Sequence, residues 1–523
     1  RSTVLDSIAL GYQPVWNRAR QLAAVRLSVH TVQPEGVDAE HLLQILEEDW
    51  PLSAPPLVLA FDHPNLWQQA LTCTPVANTW LQVPGACFTT PDGLAHLSVA
   101  VRRGHTLLRQ AALADVRGEI IAPLDVRSLL SLSAEEALQA LQARPTEDQP
   151  VPLQRSPIVA GQIYDGVGSR SLADHCLDEA GAWGLLEWPD EDVLHSWRHR
   201  PVPCDPAVIS QVREALDKDA ALDRIERYVR QDPVLVHRLL VRVNSAGYGL
   251  SREIESLRHA LMMIGFGALD VWLAEQLAAS EESDSALHPV RYGMVMRARL
   301  AQHLLDSGSD DNLRSEVFLT AVFAQLDRLL HKSLPELLGK LPLPGRAYDA
   351  LLRETGPYNA YLEVSRAQGQ PARLAQLPRV NLLPPEIAAA ATRAAAGYSL
   401  EAWQASVGDL LGAEELGLGR DAAQGAHQNA LVRTDRHAEI GADEGRPCDQ
   451  RIVAEPQIGA RILHQQRAFA GDADGAERDI ARGFGKAQPV HHLRQGQPAL
   501  FLHHRLRHPG EHRIGPAEGE DGE

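Results

Sequence analysis

Residues 231–249 read QDPVLVHRLLVRVNSAGYG, and this stretch predicts one complete helix with a defined beginning and end. Asp232 is a favourable N-cap, and Pro233 suits the first turn, where its missing amide costs no hydrogen bond. The apolar side chains recur at three- and four-residue steps and form a single stripe: Leu235, Leu239, Leu240 and Val243. Asn244 and Ser245 form a polar pair that ends the helix. The segment therefore predicts a helix that packs into a core along one face.

The same helical periodicity continues on both sides of this segment, from about residue 206 to residue 411. Further amphipathic segments, separated by short Gly and Pro breaks, cover residues 254–264, 268–279, 291–305, 316–330 and 385–396. Gly247 supplies the turn after the first helix, and Gly265 caps one helix or lets the next one pack closely. This half of the chain is predicted to be an all-α bundle.

The first part of the chain, from about residue 10 to residue 200, has a mixed pattern instead. Short apolar runs bounded by Pro and Gly, as in buried strands, occur at residues 57–61, 79–83 and 119–122. Helical stretches alternate with these runs, and Ser133 forms a capping box with Glu136 ahead of one of them. Alternating strands and helices predict a parallel sheet with crossovers, either open or closed as a barrel.

Composition and charge argue against several functional classes. The net charge of −18 argues against a protein that tracks nucleic-acid phosphates, so no nucleic-acid partner is predicted. No segment approaches the roughly 18 apolar residues of a membrane span, so no membrane association is predicted. The 5 cysteines form no C-x-x-C pair, which excludes an evident zinc site or disulfide framework and suits a reducing cytoplasm. No metal and no cofactor are predicted.

The helical half resembles the HDOD domain of bacterial signalling proteins in the order and spacing of its residues. The resemblance runs through 231–249 and 254–265, and it implies structural roles for Asp232, Pro233, Asn244, Ser245, Gly247 and Gly265. Residues 320–330 resemble the segment that carries a metal-binding His-Asp pair in catalytic HD phosphohydrolases, but Ala324 and Gln325 stand in its place. Without an imidazole and a carboxylate, nothing there would hold a metal and activate water. This half is predicted not to be a hydrolase.

The first half resembles the EAL domain, whose active members hydrolyse cyclic-di-GMP, at residues 11–18 and 80–84. Where that family has metal-binding carboxylates, this chain has Arg26 on one predicted strand and the neutral Gln82 on another. A two-metal phosphodiesterase needs several carboxylates that converge on its ions. The resemblance therefore implies a degenerate EAL domain without metal ligands, and a protein that is not an enzyme.

Three further segments depart from the EAL pattern in the same direction. Residues 99–103 are nearest to an Asp-Asp-Phe sequence of that family but do not contain it. Residues 124–127 resemble a Lys-Leu-Asp strand but lack its lysine, and residues 158–163 lack a catalytic glutamate. Literal Glu-Ala-Leu triplets occur at 136–138 and 214–216. Both triplets lie in amphipathic helical patterns, so they are predicted to have no part in metal binding.

These patterns divide the chain into four regions. We predict a degenerate EAL-like domain over 1–198, a linker over 199–206, an HDOD domain over 207–412 and a disordered tail over 420–523. The tail has the composition of a GC-rich gene read in an alternate frame, which makes an artefact one interpretation of it. A closed α/β barrel commonly needs about 250 residues, so the first domain is expected to be a shortened TIM-like barrel.

The favoured function is a non-catalytic regulator that acts through protein–protein contacts in a cyclic-di-GMP or two-component-type pathway. Its partners would be signalling proteins, and a homodimer is a further possibility. Arg26, Arg102 and Arg103 could contact phosphates, but solvated arginines are the commoner case, so retention of cyclic-di-GMP binding is doubtful. The alternative is a residual metal-dependent cyclic-di-GMP phosphodiesterase that uses three other carboxylates: Asp62, Asp125 and Asp165.

Overall fold

The computed structural model describes most of the first 370 residues of the chain. The described residues are 8–31, 37–50, 52–117, 119, 124–144, 155–245, 247, 256–280, 284–305 and 309–370. The predicted helix at 385–396, the part of the predicted HDOD range beyond residue 370 and the predicted disordered tail, 420–523, lie outside them.

Eight strands close into a barrel in the order in which they occur along the chain. They are β1 (Ile8–Trp16), β2 (Leu22–Thr31), β3 (Leu57–Phe61), β4 (Thr79–Pro84), β5 (Thr106–Ala112), β6 (Arg127–Ser131), β7 (Ile163–Asp165) and β8 (Gly184–Leu186). From β2 to β8 each strand runs parallel to the next, whereas β1 is antiparallel to both β2 and β8. The closed form of the predicted barrel is therefore confirmed. The barrel uses few residues because some of its elements are short; β7 and β8 have 3 residues each.

In the described part of this half, seven α-helices accompany the strands. They are α1 (Ala39–Asp49), α2 (Pro64–Thr72), α3 (Pro91–Arg103), α4 (Leu113–Val116), α5 (Ala134–Gln142), α6 (Arg170–Asp174) and α7 (Asp190–Ser196). The predicted capping box begins α5: Ser133 Oγ accepts a hydrogen bond from the Glu136 amide at 3.2 Å. The Glu136 carboxylate accepts in return from the Ser133 amide at 2.9 Å. The first Glu-Ala-Leu triplet thus belongs to a helix, as predicted.

A tight turn joins β1 to β2 in place of a crossover helix. The side chain of Asn17 accepts a hydrogen bond from the Gln21 amide at 3.0 Å. Arg20 has a positive φ of 58°, and its buried guanidinium donates to Asp174 and to Asp178 at 2.7 Å each. Because the connection is this short, β1 has no helix of its own to cover its outer face.

The second half of the described chain is helical, as predicted. Its helices are α8 (Pro206–Asp217), α9 (Leu222–Val229), α10 (Pro233–Val243), α11 (Leu257–Ile264), α12 (Phe266–Ala278), α13 (Leu287–His303), α14 (Asp311–Phe323), α15 (Leu326–Leu330), α16 (Leu334–Leu338), α17 (Gly345–Leu352) and α18 (Pro357–Gln368). The second Glu-Ala-Leu triplet lies inside α8. The apolar stripe predicted for 231–249 is buried along α10.

The segment that we interpreted as a linker, 199–206, is irregular in backbone, but much of it is buried. Val202 and Asp205 are among its buried residues, and Arg238 donates to the Val202 carbonyl at 2.9 Å. The Asp205 side chain accepts from the Ala207 amide and so caps α8. Proline and the lack of periodicity at 199–206 therefore reflect an irregular part of the bundle core rather than an exposed connection.

Helix α13 covers the outer face of β1, where the barrel has no helix of its own. Its residues Met296 and Leu300 belong to the same apolar cluster as Ile8 and Leu10 of β1. At the end of the strand, the rings of Trp16 and Tyr292 meet edge to face with centroids 5.2 Å apart. Since apolar burial is the main stabilising contribution in folding, the described parts of the two halves share a core.

A sharp corner separates α11 from α12. Gly265 lies at this corner with φ 72° and ψ 151°, a conformation that is strained for residues with a Cβ. Across the described ranges no single helix is long and apolar enough to span a membrane. The two helices α11 and α12 meet that criterion together by length and composition, but they are bent by 101°.

Candidate functional site

The interior of the barrel contains an apolar layer with a polar layer above it. Every strand contributes one residue to the apolar layer, which consists of Val15, Ala24, Val58, Trp80, Leu108, Leu129, Ile163 and Leu186. Because side chains alternate between the two faces of a strand, residues two positions further along also point into the barrel. Arg26, Gln82 and Gln110 hold those positions on β2, β4 and β5, toward the carboxyl ends of the strands. TIM barrels carry their active sites at that end, so the polar layer is the candidate site.

A chain of hydrogen bonds crosses this polar layer. Arg26 donates from Nε to Gln82 Oε1 at 2.7 Å and from Nη1 to Gln13 Oε1. Gln82 in turn donates to Gln110 Oε1 at 2.8 Å, and Gln13 donates to Glu187 Oε1 at 2.6 Å. The chain thus brings together the two predicted positions, Arg26 and Gln82, and places neutral amides on both sides of the guanidinium.

The electrostatics of the layer disfavour a bound metal ion. Burial lowers the pKa of Arg26, and the negative charges of Asp165 and Glu187 act in the opposite direction. A divalent cation needs several oxygen ligands, usually including carboxylates, and a guanidinium fixed at the centre repels it. In the part of the chain that the structure describes, no group of three or more His, Cys, Asp or Glu side chains is placed to hold a metal. The described side chains therefore form a hydrogen-bonded polar core.

The three carboxylates of the alternative phosphodiesterase lie next to three different strands, β3, β6 and β7. Asp62 follows β3, where it accepts hydrogen bonds from the amide and the hydroxyl of Thr31 at 3.1 and 2.8 Å. Asp165 ends β7, on the opposite side of the eight-stranded ring, and accepts from the Gly166 amide at 2.7 Å. Asp125 is exposed and precedes β6, at the amino ends of the strands. Asp165 holds the inward position on β7, two residues after Ile163, and its charge acts on Arg26. Asp125 lies at the other end of the barrel, so the three carboxylates do not form one site.

The segments chosen as nearest to the remaining EAL motifs lie outside the polar layer. Residues 99–103 belong to α3, and Arg102 and Arg103 are exposed in its last turn, which precedes β5 at the amino end of the barrel. Residues 124–127 and 158–163 reach no further than the first residue of β6 and β7. Sequence reasoning missed the inward position on β5, Gln110, because the polar neighbour Arg109 obscures the alternation.

The residues implied to be structural in the helical half lie at helix ends. Asp232 is fully buried and accepts hydrogen bonds from the Val234 amide at 3.0 Å and from the Asp205 amide at 2.7 Å. Burial raises the pKa of Asp232, and the charge of Arg291 opposes that effect. Pro233 is buried as the first residue of α10. Asp232 therefore ties the start of α10 to the start of α8.

The residues at the C-terminal end of α10 and at the corner between α11 and α12 also lie at helix ends. Asn244 donates from its side chain to the Leu240 carbonyl at 2.9 Å, and Ser245 Oγ donates to the Arg242 carbonyl at 2.7 Å. Gly247 lies just beyond, and Gly265 forms the corner between α11 and α12. The structure thus places these residues where they end helices.

Residues 202–331 match the family model of the HDOD domain. This stretch is an HDOD domain. The matched range begins inside the segment that we interpreted as a linker, in agreement with the burial of residues 202–205 against the helices.

Two curated proteins are similar to part of the chain. One is the uncharacterised protein YuxH of Bacillus subtilis, 29% identical over 145 residues, which are 27% of this chain and 35% of that protein. The other is the cyclic di-GMP phosphodiesterase CdgJ of Vibrio cholerae, 30% identical over 153 residues, which are 29% of this chain and 35% of that protein. The chain thus covers about a third of the length of each relative.

Solved structures with partial similarity include two bacterial proteins. The response regulator MmoQ of Methylococcus capsulatus has a TM-score of 0.28 and 18% identity, covering 36% of this chain and 98% of that chain. The FimX EAL domain of Xanthomonas citri, solved in complex with cyclic-di-GMP, has a TM-score of 0.24 and 14% identity, covering 35% of this chain and 86% of that chain. Because these TM-scores and identities are low, we infer the chemistry of the barrel from its own side chains.

Within the HDOD domain, Ala324 and Gln325 lie at the break between α14 and α15. Ala324 ends α14, and Gln325 precedes α15 with its side chain buried. Among the described residues, nothing donates a hydrogen bond to Gln325 Oε1. A methyl group and a neutral amide are poor metal ligands, and the amide borders a small recess that also touches Asp190 and Arg297.

Proposed function

We propose that the protein is a non-catalytic regulator in cyclic-di-GMP signalling and that it acts through contacts with other proteins. The observation that carries the proposal is the position of Arg26. Its guanidinium occupies the centre of the polar layer and is hydrogen-bonded to the neutral amides of Gln13 and Gln82. Two-metal phosphodiester hydrolysis requires carboxylates around two cations at such a place.

The pathway is proposed from two similarities. The chain contains an HDOD domain at 202–331, and it is similar over 153 residues to a protein described as a cyclic di-GMP phosphodiesterase. These similarities, together with the guanidinium in the polar layer, support a protein that takes part in cyclic-di-GMP signalling but does not hydrolyse cyclic-di-GMP. Its partners would be signalling proteins of the cytoplasm.

Incubation of the full chain with cyclic-di-GMP and Mg²⁺ or Mn²⁺ tests the proposal. We expect no linear dinucleotide on chromatography of the products, because the described barrel has no group of carboxylates to bind two ions. The variant Arg26→Gln removes the repelling cation and keeps hydrogen-bonding capacity, and we expect it to be inactive as well. Arg102→Gln, which changes an exposed residue of α3, is the matched control.

Metal-dependent turnover by the unmodified chain would contradict the proposal and favour the residual phosphodiesterase. Loss of that turnover in Asp165→Asn or Asp62→Asn, but not in Asp125→Asn, would then identify the carboxylates in use. Titration of cyclic-di-GMP into the same preparation separates binding from turnover. Heat without product leaves the non-catalytic assignment in place and makes the barrel a nucleotide sensor.

A further inference from the structure

The amino end of the barrel, opposite the polar layer, contains an arginine stacked on two tryptophans. Trp80 of β4 and Trp183, which precedes β8, pack against the apolar layer of the barrel interior. Arg127 begins β6 and holds the inward position two residues before Leu129, because side chains alternate along a strand. None of these three residues is fully buried. We call Arg127, Trp80 and Trp183 the amino-end cluster.

The guanidinium of Arg127 is fixed in orientation by its neighbours. Its Cζ lies 4.3 Å from the ring centroid of Trp183 and 5.4 Å from that of Trp80. Arg127 Nε donates a hydrogen bond to the Gly161 carbonyl at 2.9 Å. Cations are attracted to the faces of tryptophan rings. The stacking and the hydrogen bond together hold the planar group with its two terminal amino groups directed away from Nε.

The positive charge of Arg127 has no counter-ion in the described part of the chain. Within those residues its terminal amino groups have no hydrogen-bond acceptor, and no carboxylate forms an ion pair with it. Burial lowers the pKa of Arg127, and no described negative charge opposes that effect. By contrast, two other arginines of the barrel bind carboxylates: Arg20 pairs with Asp174, and Arg109 with Glu119. Since charges that lose contact with water are usually paired, the unmatched guanidinium marks a place for an anion.

The surface around the amino-end cluster offers further donors. The last turn of α3 adds two exposed arginines, Arg102 and Arg103, at the same end of the barrel. The two indole N–H groups of the cluster donate to no described acceptor. Asp125 is exposed at this end as well, but it is not among the charges that act on Arg127. The face therefore favours a ligand that brings its own negative charge.

We propose that the amino-end cluster is a docking site for an acidic segment of a protein partner, with a carboxylate bound by Arg127. A planar guanidinium presents two parallel N–H donors, which match the two oxygens of a carboxylate. Tryptophan and arginine are enriched among the residues that dominate the affinity of protein interfaces. Complementary charge selects partners, and in a chain with a net charge of −18 an acidic segment needs such a local cation.

This inference rests on the proposed function, because it gives a regulator that acts through protein contacts a surface and a class of partner. The two proposals can nevertheless fail separately, since the polar layer and the amino-end cluster lie at opposite ends of the barrel. Turnover of cyclic-di-GMP would contradict the non-catalytic assignment without changing peptide binding at the amino end. Absence of peptide binding would remove the docking site without producing turnover.

Isothermal titration of the full chain with short blocked peptides tests the docking site. The probes are a peptide of glutamates, a matched peptide of glutamines, acetate and inorganic phosphate. We expect the glutamate peptide to bind about tenfold more tightly than the glutamine peptide, because hydrogen bonds between charged groups are stronger than those of neutral amides. Acetate and phosphate should bind more weakly than the glutamate peptide, because they make no contact with the indole rings.

Three variants separate the fork of Arg127 from positive charge in general. Arg127→Gln should weaken binding of the glutamate peptide by about tenfold. Arg127→Lys should weaken it as well, because an ammonium group keeps the charge but not the planar donors, and it tests the fork even where Arg127→Gln does not fold. Arg102→Gln removes the same charge from an exposed residue at the same end, and this control should change the affinity by less than about twofold.

Three results would overturn the proposal: equal affinities for the glutamate and glutamine peptides, equal losses in Arg127→Gln and Arg102→Gln, or an unchanged affinity in Arg127→Lys. Phosphate binding as tight as that of the glutamate peptide would reduce the cluster to a general anion site and overturn the assignment to a protein partner.

Discussion

At the level of single residues, the contribution of a buried polar side chain to stability depends on whether its polar groups have hydrogen-bond or ionic partners. Arg26 finds partners for its Nε and Nη1 donors in the amides of Gln82 and Gln13, which makes the centre of the barrel a hydrogen-bonded core. Asp205 does the same in the HDOD domain, where it caps α8 and lies 3.5 Å from Arg291. Because a buried charge without partners is costly, such residues stabilise the fold only as complete sets.

Asp205→Asn should destabilise the protein at neutral pH. Burial alone would raise the pKa of Asp205, but His288 and Arg291 hold it at about 2, below its ordinary value of 3.8. A carboxyl whose pKa is depressed in the folded state stabilises the fold above pH 3.8, and this contribution disappears as pH falls toward 2. We expect a loss of about 2 kcal/mol at pH 7, measured by urea unfolding.

The difference between the unmodified chain and Asp205→Asn should narrow between about pH 4 and pH 2. Asp217→Asn at the exposed end of the same helix is the control, with an expected change within about 0.5 kcal/mol. A difference that stays constant down to acid pH would show that the stabilisation comes from the cap geometry and not from the charge.

At the level of single elements, the residues at helix ends determine where each helix begins and stops. The corner between α11 and α12 is the clearest example. Gly265 ends one helix and begins the next with a positive φ, and a Cβ built there would meet no atom within 4 Å. The requirement for glycine is therefore one of backbone conformation, not of space. Gly267, two residues along, has an ordinary helical conformation and equal room for a Cβ.

Gly265→Ala should destabilise the HDOD domain by about 1–3 kcal/mol, because residues with a Cβ are strained in this region of φ and ψ. Gly267→Ala should be neutral or stabilising by up to about 1 kcal/mol, because alanine loses less conformational entropy than glycine in a helix. Urea unfolding midpoints of the two variants provide the measurement. Equal effects of the two substitutions would rule out the backbone explanation.

At the scale of the whole molecule, the barrel and the HDOD domain form a shared core within the described chain. The tight turn after β1 leaves its outer face without a helix, and Met296 and Leu300 of α13 fill that place. Trp197, which follows the last residue of α7, belongs in turn to the apolar cluster of the helical bundle. An interface built from core residues on both sides makes independent folding of the two halves unfavourable.

Leu300→Ala should therefore destabilise the barrel, although the residue belongs to the HDOD domain. Leu300 is 0% exposed, and truncation of a fully buried leucine costs about 2–5 kcal/mol. Hydrogen exchange followed by mass spectrometry should show β1 and β2 losing protection together with α13. The control Leu138→Ala, at a position that is 55% exposed, should change little.

Loss of protection in α13 alone, with β1 and β2 unaffected, would mean that the barrel is stable without the helix. In that case a fragment that ends before α8 should fold by itself with a cooperative unfolding transition. The shared core predicts the opposite, namely that such a fragment aggregates or unfolds without a clear transition.

The sequence by itself determined the features that depend on neighbouring residues. The N-cap at Asp232, the capping box at Ser133 and the glycine corner at Gly265 involve contacts over a few positions, so local pattern was sufficient for them. The identities of Arg26 and Gln82 likewise come from the sequence, and through the resemblance to the EAL domain they predict the loss of two metal-binding carboxylates.

Tertiary structure alone decided the features that depend on register and on contacts between distant segments. A shift of one residue moves a strand side chain to the opposite face, so Gln110 became part of the polar layer only once β5 was paired with β4. Residues 202–205, which looked like a linker, are buried because helices far along the chain pack on them. The cover that α13 gives to β1 and the recess that brings Asp190 to Arg297 have the same origin, since each joins segments that no local pattern relates.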